Sequence, residues 1–514
     1  MTFNSLLFPA RGDQRTTERA VDPPFFADLY LDQIADAMFA GREAYDLKPL
    51  FRVPLGDVDA IGYRHEISRD LENDEARKCV DTFADAMRAV RAALETESKL
   101  RYRYERERWR LDAAETYCAA IGNLNEGLRR PSVRSHGLVA FRDFLEQYRT
   151  SETFLRLADD VASLRMGLSG VTYDVLVGGE RVSVRPCGEE RDLVEAVLET
   201  FSRFRQGATK SYLVTFYDRG ALNHIEEKVL EFVAQLYPEL FTELDRFAER
   251  HADFIDETVA RFDREIQFYL AASDYAKIFE AAELRTCYPR VDPASKTVRA
   301  RETYDMALAH RIVATNGPVV TNDFELSGLE RVLVISGPNQ GGKTTLARTF
   351  GQLHYLAALG CRVAGSEATT FLFDELFTHF ERQEDPASGR GKLEDDILRI
   401  HDILEHATSN SIIILNEIFA STTARDASVL ARAIMERILA LDALCVCVTF
   451  IDELASMSEK TVSMVSVVDA VDPGKRTFRL ERRPADGLAY ALSLAERYGL
   501  TYDRLHDRFK KVER

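Results

Sequence analysis

Apolar residues recur along this chain with two different periods, and the change of period divides it. Residues 1–26 carry polar segments and Pro23-Pro24, and a loose arm is predicted there. From Leu29 to about Arg130 the spacing is helical, as in Leu31, Ile34, Ala35 and Met38. Residues 84–117 hold no proline or glycine and many strong helix formers, which predicts one long helix. Pro131 and Ser132 break the pattern, and a helical period returns over 138–166. Residues 171–177 and 181–184 flank Gly178-Gly179 and read as a β-hairpin. Helix is predicted over 190–205, a strand over 212–216, and a long helical stretch over 221–283, softly broken at Pro238. Tyr288-Pro289 closes it. Residues 296–330 predict short strands and turns, punctuated by Asn316-Gly317-Pro318. From 331 onward strands alternate with helices. The runs 332–335, 412–415 and 444–448 are short and nearly continuously apolar. That pattern suits strands buried on both faces of a largely parallel sheet.

The first of those runs leads into the strongest chemical signal. Residues 332–350 read VLVISGPNQGGKTTLARTF, where Gly337, Gly342, Lys343 and Thr344 fit G-x-x-x-x-G-K-[ST], a phosphate-binding loop. Its members are Gly337, Pro338, Asn339, Gln340, Gly341, Gly342, Lys343, Thr344 and Thr345. Glycines let backbone N–H groups close around phosphate oxygens. Lys343 is expected on the β/γ-phosphates of ATP, and the Thr344 hydroxyl on Mg²⁺. The alternative is a chance glycine-rich turn. The second run ends in Asn416-Glu417. There Glu417 would act as general base toward the attacking water or orient it. Asn416 stands at the metal-side position where an aspartate is usual. An amide carbonyl can accept a hydrogen bond near Mg²⁺ but lacks the charge, so weaker Mg²⁺ binding or slower hydrolysis is expected.

Three further signals are weaker. Residues 385–392, DPASGRGK, form a polar loop before a predicted helix, where Ser388 could meet a phosphate; a plain surface turn fits equally. Thr449 follows the third apolar run and either senses the γ-phosphate or caps the strand. Asp426, after Ser421-Thr422-Thr423, either caps a helix or lines the site. Lys99 to Arg110 interleaves basic residues with Tyr102, Tyr104 and Trp109. This reads either as a nucleic-acid contact or, preferably, as a solvated helix laced with Glu–Arg pairs.

Composition narrows the class. The chain has 514 residues, 46% of them hydrophobic, enough for several cores. A net charge of -17 argues against a uniformly basic coat but leaves room for local DNA contact. No apolar run is long enough to span a membrane, and the N-terminus does not read as a signal peptide. Seven cysteines without a C-x-x-C pair predict reduced thiols, and Cys445 and Cys447 are expected to pack in a strand. No histidine spacing typical of a zinc site stands out. A cytoplasmic protein is expected.

Together the motifs resemble the MutS family of DNA mismatch-repair and recombination ATPases. The resemblance rests on the order of GPNQGGKTT at 337–345, DPASGRGK at 385–392, IIILNEIFASTTARDA at 412–427, CVCVTFIDEL at 445–454 and DGLAYALSLAERYGL at 486–500. It implies an α/β P-loop (ABC-type) ATPase domain over 296–514, ending in a helical dimerisation segment. Before it would come a mostly α-helical core/lever region over 29–295, with a clamp-like insert about 167–216 and an arm over 1–28. It also implies a DNA-binding homodimer, nucleoid-associated, with composite ATP sites. Asp426 would lie near the dimer seam. The chain departs from the family pattern at Asn416, at Phe450 where a histidine is usual, at Gly391 where a signature serine is usual, and at Val319 where an aromatic residue is usual. No mismatch-reading Phe-x-Glu segment is recognised upstream. Classical mismatch recognition is therefore not the expectation; branched or recombination-type DNA is. The rival expectation is a nucleotide-switched scaffold that hydrolyses little and recruits protein partners.

Overall fold

The computed structural model describes residues 3–9, 22–130, 132–178, 181–187, 222, 224–381, 391–419, 421–468 and 476–485. In chain order its main helices begin with Phe25–Leu29 (α1), Leu31–Met38 (α2), Val58–Asp70 (α3), Asp74–Lys99 (α4), Arg103–Leu128 (α5), His136–Arg149 (α6) and Glu152–Ser169 (α7). The strands Tyr173–Gly178 (β1) and Arg181–Pro186 (β2) follow, then His224–Leu236 (α8), Pro238–Arg250 (α9) and Glu257–Glu280 (α10). Contacts group the chain into two units, each discontinuous in sequence. One comprises Met1–Phe3 and Asp70–Asp263; the other comprises Asn4–Arg69 and Arg264–Arg514.

The first unit is built on a helical hairpin. Asn73 opens α4 by accepting hydrogen bonds from the N–H groups of Glu75 and Ala76. Val80, Phe83, Met87 and Val90 on α4, and Leu111, Tyr117, Ile121 and Leu124 on α5, are buried. Gly127 is required where the two helices touch, because a Cβ there would overlap Cys79 Sγ. The single helix predicted over 84–117 is therefore two helices, with Leu100 and Tyr102 extended between them. No helix breaker marks the turn; two long apolar stripes gain more by burying each other than by staying collinear. Tyr104 packs its ring edge-on against Phe241, and the Tyr102 hydroxyl donates to the Glu227 carbonyl at 2.9 Å. The arginines of this stretch turn to acids of the same unit. Arg103 meets Glu107 and Asp245, Arg110 meets Glu97 at 2.6 Å, and Arg108 meets Asp112 at 3.4 Å. The ion-paired reading of Lys99–Arg110 is the one these contacts support. The expected hairpin is present as β1 and β2, paired antiparallel with Val175 opposite Val184. Its turn residues, and the helix and strand expected over 190–216, lie outside the described residues.

In the second unit Thr286–Cys287 (β3), Arg290–Asp292 (β4), Val298–Thr303 (β5), Asn322–Leu326 (β6) and Val332–Ser336 (β7) precede the helix Lys343–Ala358 (α11). Val363–Ala364 (β8), Glu367–Phe371 (β9), Leu376–His379 (β10), Lys392–His406 (α12), Ile412–Asn416 (β11), Ala424–Leu441 (α13), Leu444–Val448 (β12), Thr461–Val468 (β13) and Arg476–Arg482 (β14) complete it. The central sheet has the order β10-β11-β12-β7-β13-β14. Every pair is parallel except β13 with β14. All residues of β7, β11 and β12 are buried, as their unbroken apolar runs predict. A second sheet, β4-β9-β5-β6, is mixed. The fold is thus mixed α/β, with a helical N-terminal region and a sheet rich in parallel pairs.

Helix α11 is buried at thirteen of its sixteen residues, so it is enclosed on both sides, not laid on the surface. Part of the enclosure comes from residues 25–55. Phe25, Phe26 and Phe51 pack around Tyr355 with ring centroids 5.3–5.8 Å away, and the Tyr355 hydroxyl donates to the Phe51 carbonyl at 2.7 Å. Arg348 donates to the Asp28 carbonyl and lies 3.9 Å from the Tyr30 ring centroid. Gln352, 1% exposed, donates to the Leu29 carbonyl and to Asp305, while its carbonyl accepts from the Met306 N–H. The predicted loose arm is corrected at its start. Leu6 and Leu7 are fully buried, and the Ser5 hydroxyl and the Leu6 N–H donate to Glu265. An apolar triplet, Leu6-Leu7-Phe8, is too short to show a period, yet it removes enough apolar area from water to hold an irregular segment down.

Candidate functional site

Three adjacent strands end at one edge of the central sheet. Register sets Asn416 of β11 opposite Val448 of β12, and Val448 opposite Ile335 of β7. The residues that follow them, Glu417, Thr449 and the glycine loop 337–342, are therefore neighbours at the carboxyl ends of the strands. In open α/β sheets that is where ligands bind. In the sequence Thr449 lies 32 residues after Glu417, and Glu417 lies 75 residues after Gly342; the parallel pairing brings them together.

The loop backbone explains its glycines. Gly337 (φ 117°) and Gly342 (φ 91°) lie in left-handed regions that a side chain would strain. Gly341 is required by a neighbour: its Cβ would overlap Ser466 Oγ, and that hydroxyl donates to the Gly341 carbonyl at 2.8 Å. Gln340, Glu417 and Phe419 also hold positive φ without being glycine, a strain that gathers at functional sites. Pro338 is buried, while Asn339 and Gln340 are exposed.

Lys343 opens α11 and turns back over the loop. Its ammonium donates to the Gly337 carbonyl at 2.8 Å and faces Asn339 Oδ1 at 3.5 Å and Glu417 Oε1 at 3.8 Å. The Phe450 ring centroid lies 3.9 Å away. Burial lowers the lysine below its ordinary range, and the Glu417 carboxylate opposes that shift. Thr344 Oγ donates to Asn416 Oδ1 at 2.9 Å, so these two candidate metal-side residues are in direct contact. Thr345 is half-buried in the next position; its carbonyl accepts from the Thr349 hydroxyl.

Thr449 is buried at the end of β12, and its hydroxyl accepts from the Ile451 N–H at 3.0 Å, the contact of a turn cap. Asp426 is exposed at the third position of α13, where Thr423 caps the helix and donates to the Asp426 carboxylate at 2.8 Å. Its contacts are those of a helix cap, not of the lysine cluster. Ser388 and most of the 385–392 loop lie outside the described residues, as does the 486–500 motif. Gly391 precedes α12, and Lys392 pairs with Glu381. Sequence reasoning missed Ser466, which carries no motif of its own, and gave Phe450 no contact. Asn322 was also missed. Its side chain pairs with β14 by donating to the Phe478 carbonyl at 3.1 Å and accepting from the Leu480 N–H at 2.8 Å.

The group fits Mg²⁺ only in company with phosphate. Among the described residues no three His, Cys, Asp or Glu side chains gather as a metal site. Thr344 and Asn416 offer neutral oxygens, so most of the counter-charge must come from a ligand. The cysteines are all free thiols, as expected. Cys445 and Cys447 are buried in β12, and burial pushes the Cys447 thiol up to about 12. No described helix is long and apolar enough to cross a membrane.

MutS domain V matches residues 333–504. The chain is 27% identical over 406 residues to the endonuclease MutS2 of Thermomicrobium roseum, covering 76% of this chain and 46% of that protein. It is 38% identical over 143 residues to the DNA mismatch repair protein MutS of Shouchella clausii, covering 27% of this chain and 16% of that protein. With the DNA mismatch repair protein MutS of Chlorobium phaeovibrioides it shares 28% over 294 residues, or 55% of this chain and 32% of that one. The matches span less than half the length of each relative. Through residues 333–504, which match MutS domain V, the C-terminal region of the chain is related to the MutS family.

Proposed function

We propose that the chain is a MutS-like, ATP-dependent DNA-binding protein, in which ATP binding and hydrolysis are coupled to DNA structure in mismatch repair or recombination-type maintenance. The observation that carries this is the convergence of Lys343, Thr344, Asn416 and Glu417 at one strand edge, with Thr344 2.9 Å from Asn416 and Lys343 3.8 Å from Glu417. In this reading loop residues 337–342 wrap the triphosphate with main-chain N–H groups, helped by the dipole of α11. Lys343 takes the β/γ-phosphates. Thr344 and Asn416 hold Mg²⁺, which when bound supplies charge against the phosphate oxygens. Glu417 takes the proton of the attacking water or orients it. Thr345 and Thr449 line the loop side of the same site. Ser388 and Asp426 are assigned to the seam of a homodimer made through the P-loop, ABC-type domain. DNA is the proposed partner and the cytoplasm, at the nucleoid, the proposed location. The names of the relatives support DNA as the substrate class.

A second reading is a nucleotide-switched scaffold with little hydrolysis, favoured by the neutral Asn416 beside Thr344. ATP turnover with and without Glu417→Ala separates the two: equal, negligible rates favour the scaffold. Binding to duplex, mismatched and branched DNA, with and without ATP, tests the partner. Phosphate contacts are strongest at low salt, so no binding there removes DNA from the account.

A further inference from the structure

Phe450 has no part in the chemistry just assigned, yet it touches the residue at its centre. It follows Thr449 directly after β12 and is 55% exposed. A ring that open to solvent gains little from the core, so its position over Lys343 needs another source. The Lys343 side chain is only 3% exposed. Its ammonium lies against the Gly337 carbonyl at 2.8 Å, Asn339 Oδ1 at 3.5 Å, Glu417 at 3.8 Å and the Phe450 face at 3.9 Å. An aromatic face attracts a cation and repels an anion, because its quadrupole is negative at the face. The ring that satisfies the ammonium therefore disfavours a phosphate oxygen in the same place.

We propose that Phe450 is a positioning residue that holds the Lys343 ammonium in a self-satisfied pose, so that an incoming nucleoside triphosphate must displace the ring to reach the lysine. The proposal rests on the reading of Lys343 as a phosphate ligand. It makes the ring a brake on nucleotide affinity and not a contact of the bound state. A cation–π contact at an exposed site corresponds to roughly a two- to fivefold change in affinity.

The test uses the full chain and mant-ATP with magnesium, competed by unlabelled ATP. Phe450→Leu keeps an apolar side chain of similar bulk without a π face; Phe450→Tyr keeps the face. The expected result is about two- to fivefold tighter binding for Phe450→Leu and wild-type affinity for Phe450→Tyr. A second readout needs no nucleotide. In protein labelled with ¹³C at lysine Cε, the Lys343 signal, identified by its loss in Lys343→Ala, is expected upfield from ring current. It should move to the ordinary lysine position in Phe450→Leu and on adding ATP to wild type. Unchanged affinity in Phe450→Leu, or an unshifted Lys343 signal in wild type, overturns the proposal. If the upfield signal is present but no variant takes up nucleotide, the functional reading falls and the brake falls with it. If nucleotide binds and Lys343→Ala abolishes it while Phe450→Leu does nothing, only the brake is lost.

Discussion

Replacing Gln352 with leucine would test how far residues 25–55 hold the helix behind the glycine loop. The side chain is buried within α11 and bridges two segments distant in sequence. Its amide nitrogen serves the Leu29 carbonyl at 2.9 Å and Asp305 Oδ1 at 2.8 Å; its oxygen serves the Met306 N–H at 2.9 Å. Leucine fills much the same volume but leaves those three groups without this partner. Asp305 keeps the Leu308 N–H at 3.0 Å, so its loss is partial. Stranding a buried polar group costs about 1–3 kcal/mol, and two full losses with one partial loss give roughly 3 kcal/mol. Gln352→Glu should be worse, because a carboxylate cannot donate to Leu29 and would face Asp305, whose own pKa burial already raises. Urea unfolding of each variant gives the global cost. Hydrogen exchange at residues 25–55 shows where it falls, with protection lost there before it is lost in β7, β11 and β12. A Gln352→Leu variant within about 0.5 kcal/mol of wild type, with unchanged exchange at 25–55, would refute the reasoning, since that is the scatter of ordinary surface changes.

Other expectations follow from the same geometry. Gly341→Ala should weaken mant-ATP binding by straining the loop, at a cost of about 1–3 kcal/mol, and Ser466→Gly in the same chain should restore part of it by removing the clashing atoms. Asn416→Asp places a carboxylate beside Thr344; the magnesium concentration needed for half-maximal ATP binding should fall about tenfold, equivalent to 1.4 kcal/mol, as read by magnesium titration. Asp442 accepts Lys296, Arg331 and Lys460 at 3.2, 3.1 and 2.5 Å. Partial burial pushes its carboxyl up, but the hydrogen bonds from those cations outweigh this and hold it well below the usual carboxylate range. Its contribution is present above the unfolded value of about 3.9 and is lost as pH falls through the lower folded value. Asn tolerates the left-handed backbone found there (φ 61°), so Asp442→Asn isolates the charge. Discounted for solvent screening, the loss at pH 7 should be about 1–2 kcal/mol, and the gap between the urea midpoints of variant and wild type should narrow below about pH 4.

Legibility in the sequence follows the range of the forces involved. The strands β7, β11 and β12 could be read because burial on both faces demands an unbroken apolar run. Lys343 and Thr344 could be read because a tight glycine turn before a lysine leaves a local signature. Ser466 could not: it reaches Gly341 only because β13 pairs with β7, a contact across 125 residues. The turn between α4 and α5 was hidden because Leu100 and Arg101 are good helix formers and neither Gly nor Pro stands beside them, and only the packing of one helix on the other overrides this. The buried Leu6-Leu7-Phe8 segment was hidden for the opposite reason, since three residues have no period to detect.

Unit assignment has a practical consequence for anyone cutting this chain. Residues 4–69 belong with 264–514 although all of 70–263 intervenes in the sequence. A fragment chosen to begin near residue 264 would strip Tyr355 of Phe25, Phe26 and Phe51 and leave an aromatic socket facing water. The piece to co-express with it is residues 4–69, supplied as a separate polypeptide. Soluble recovery of the larger fragment only in the presence of the smaller would mark the two as halves of one folding unit.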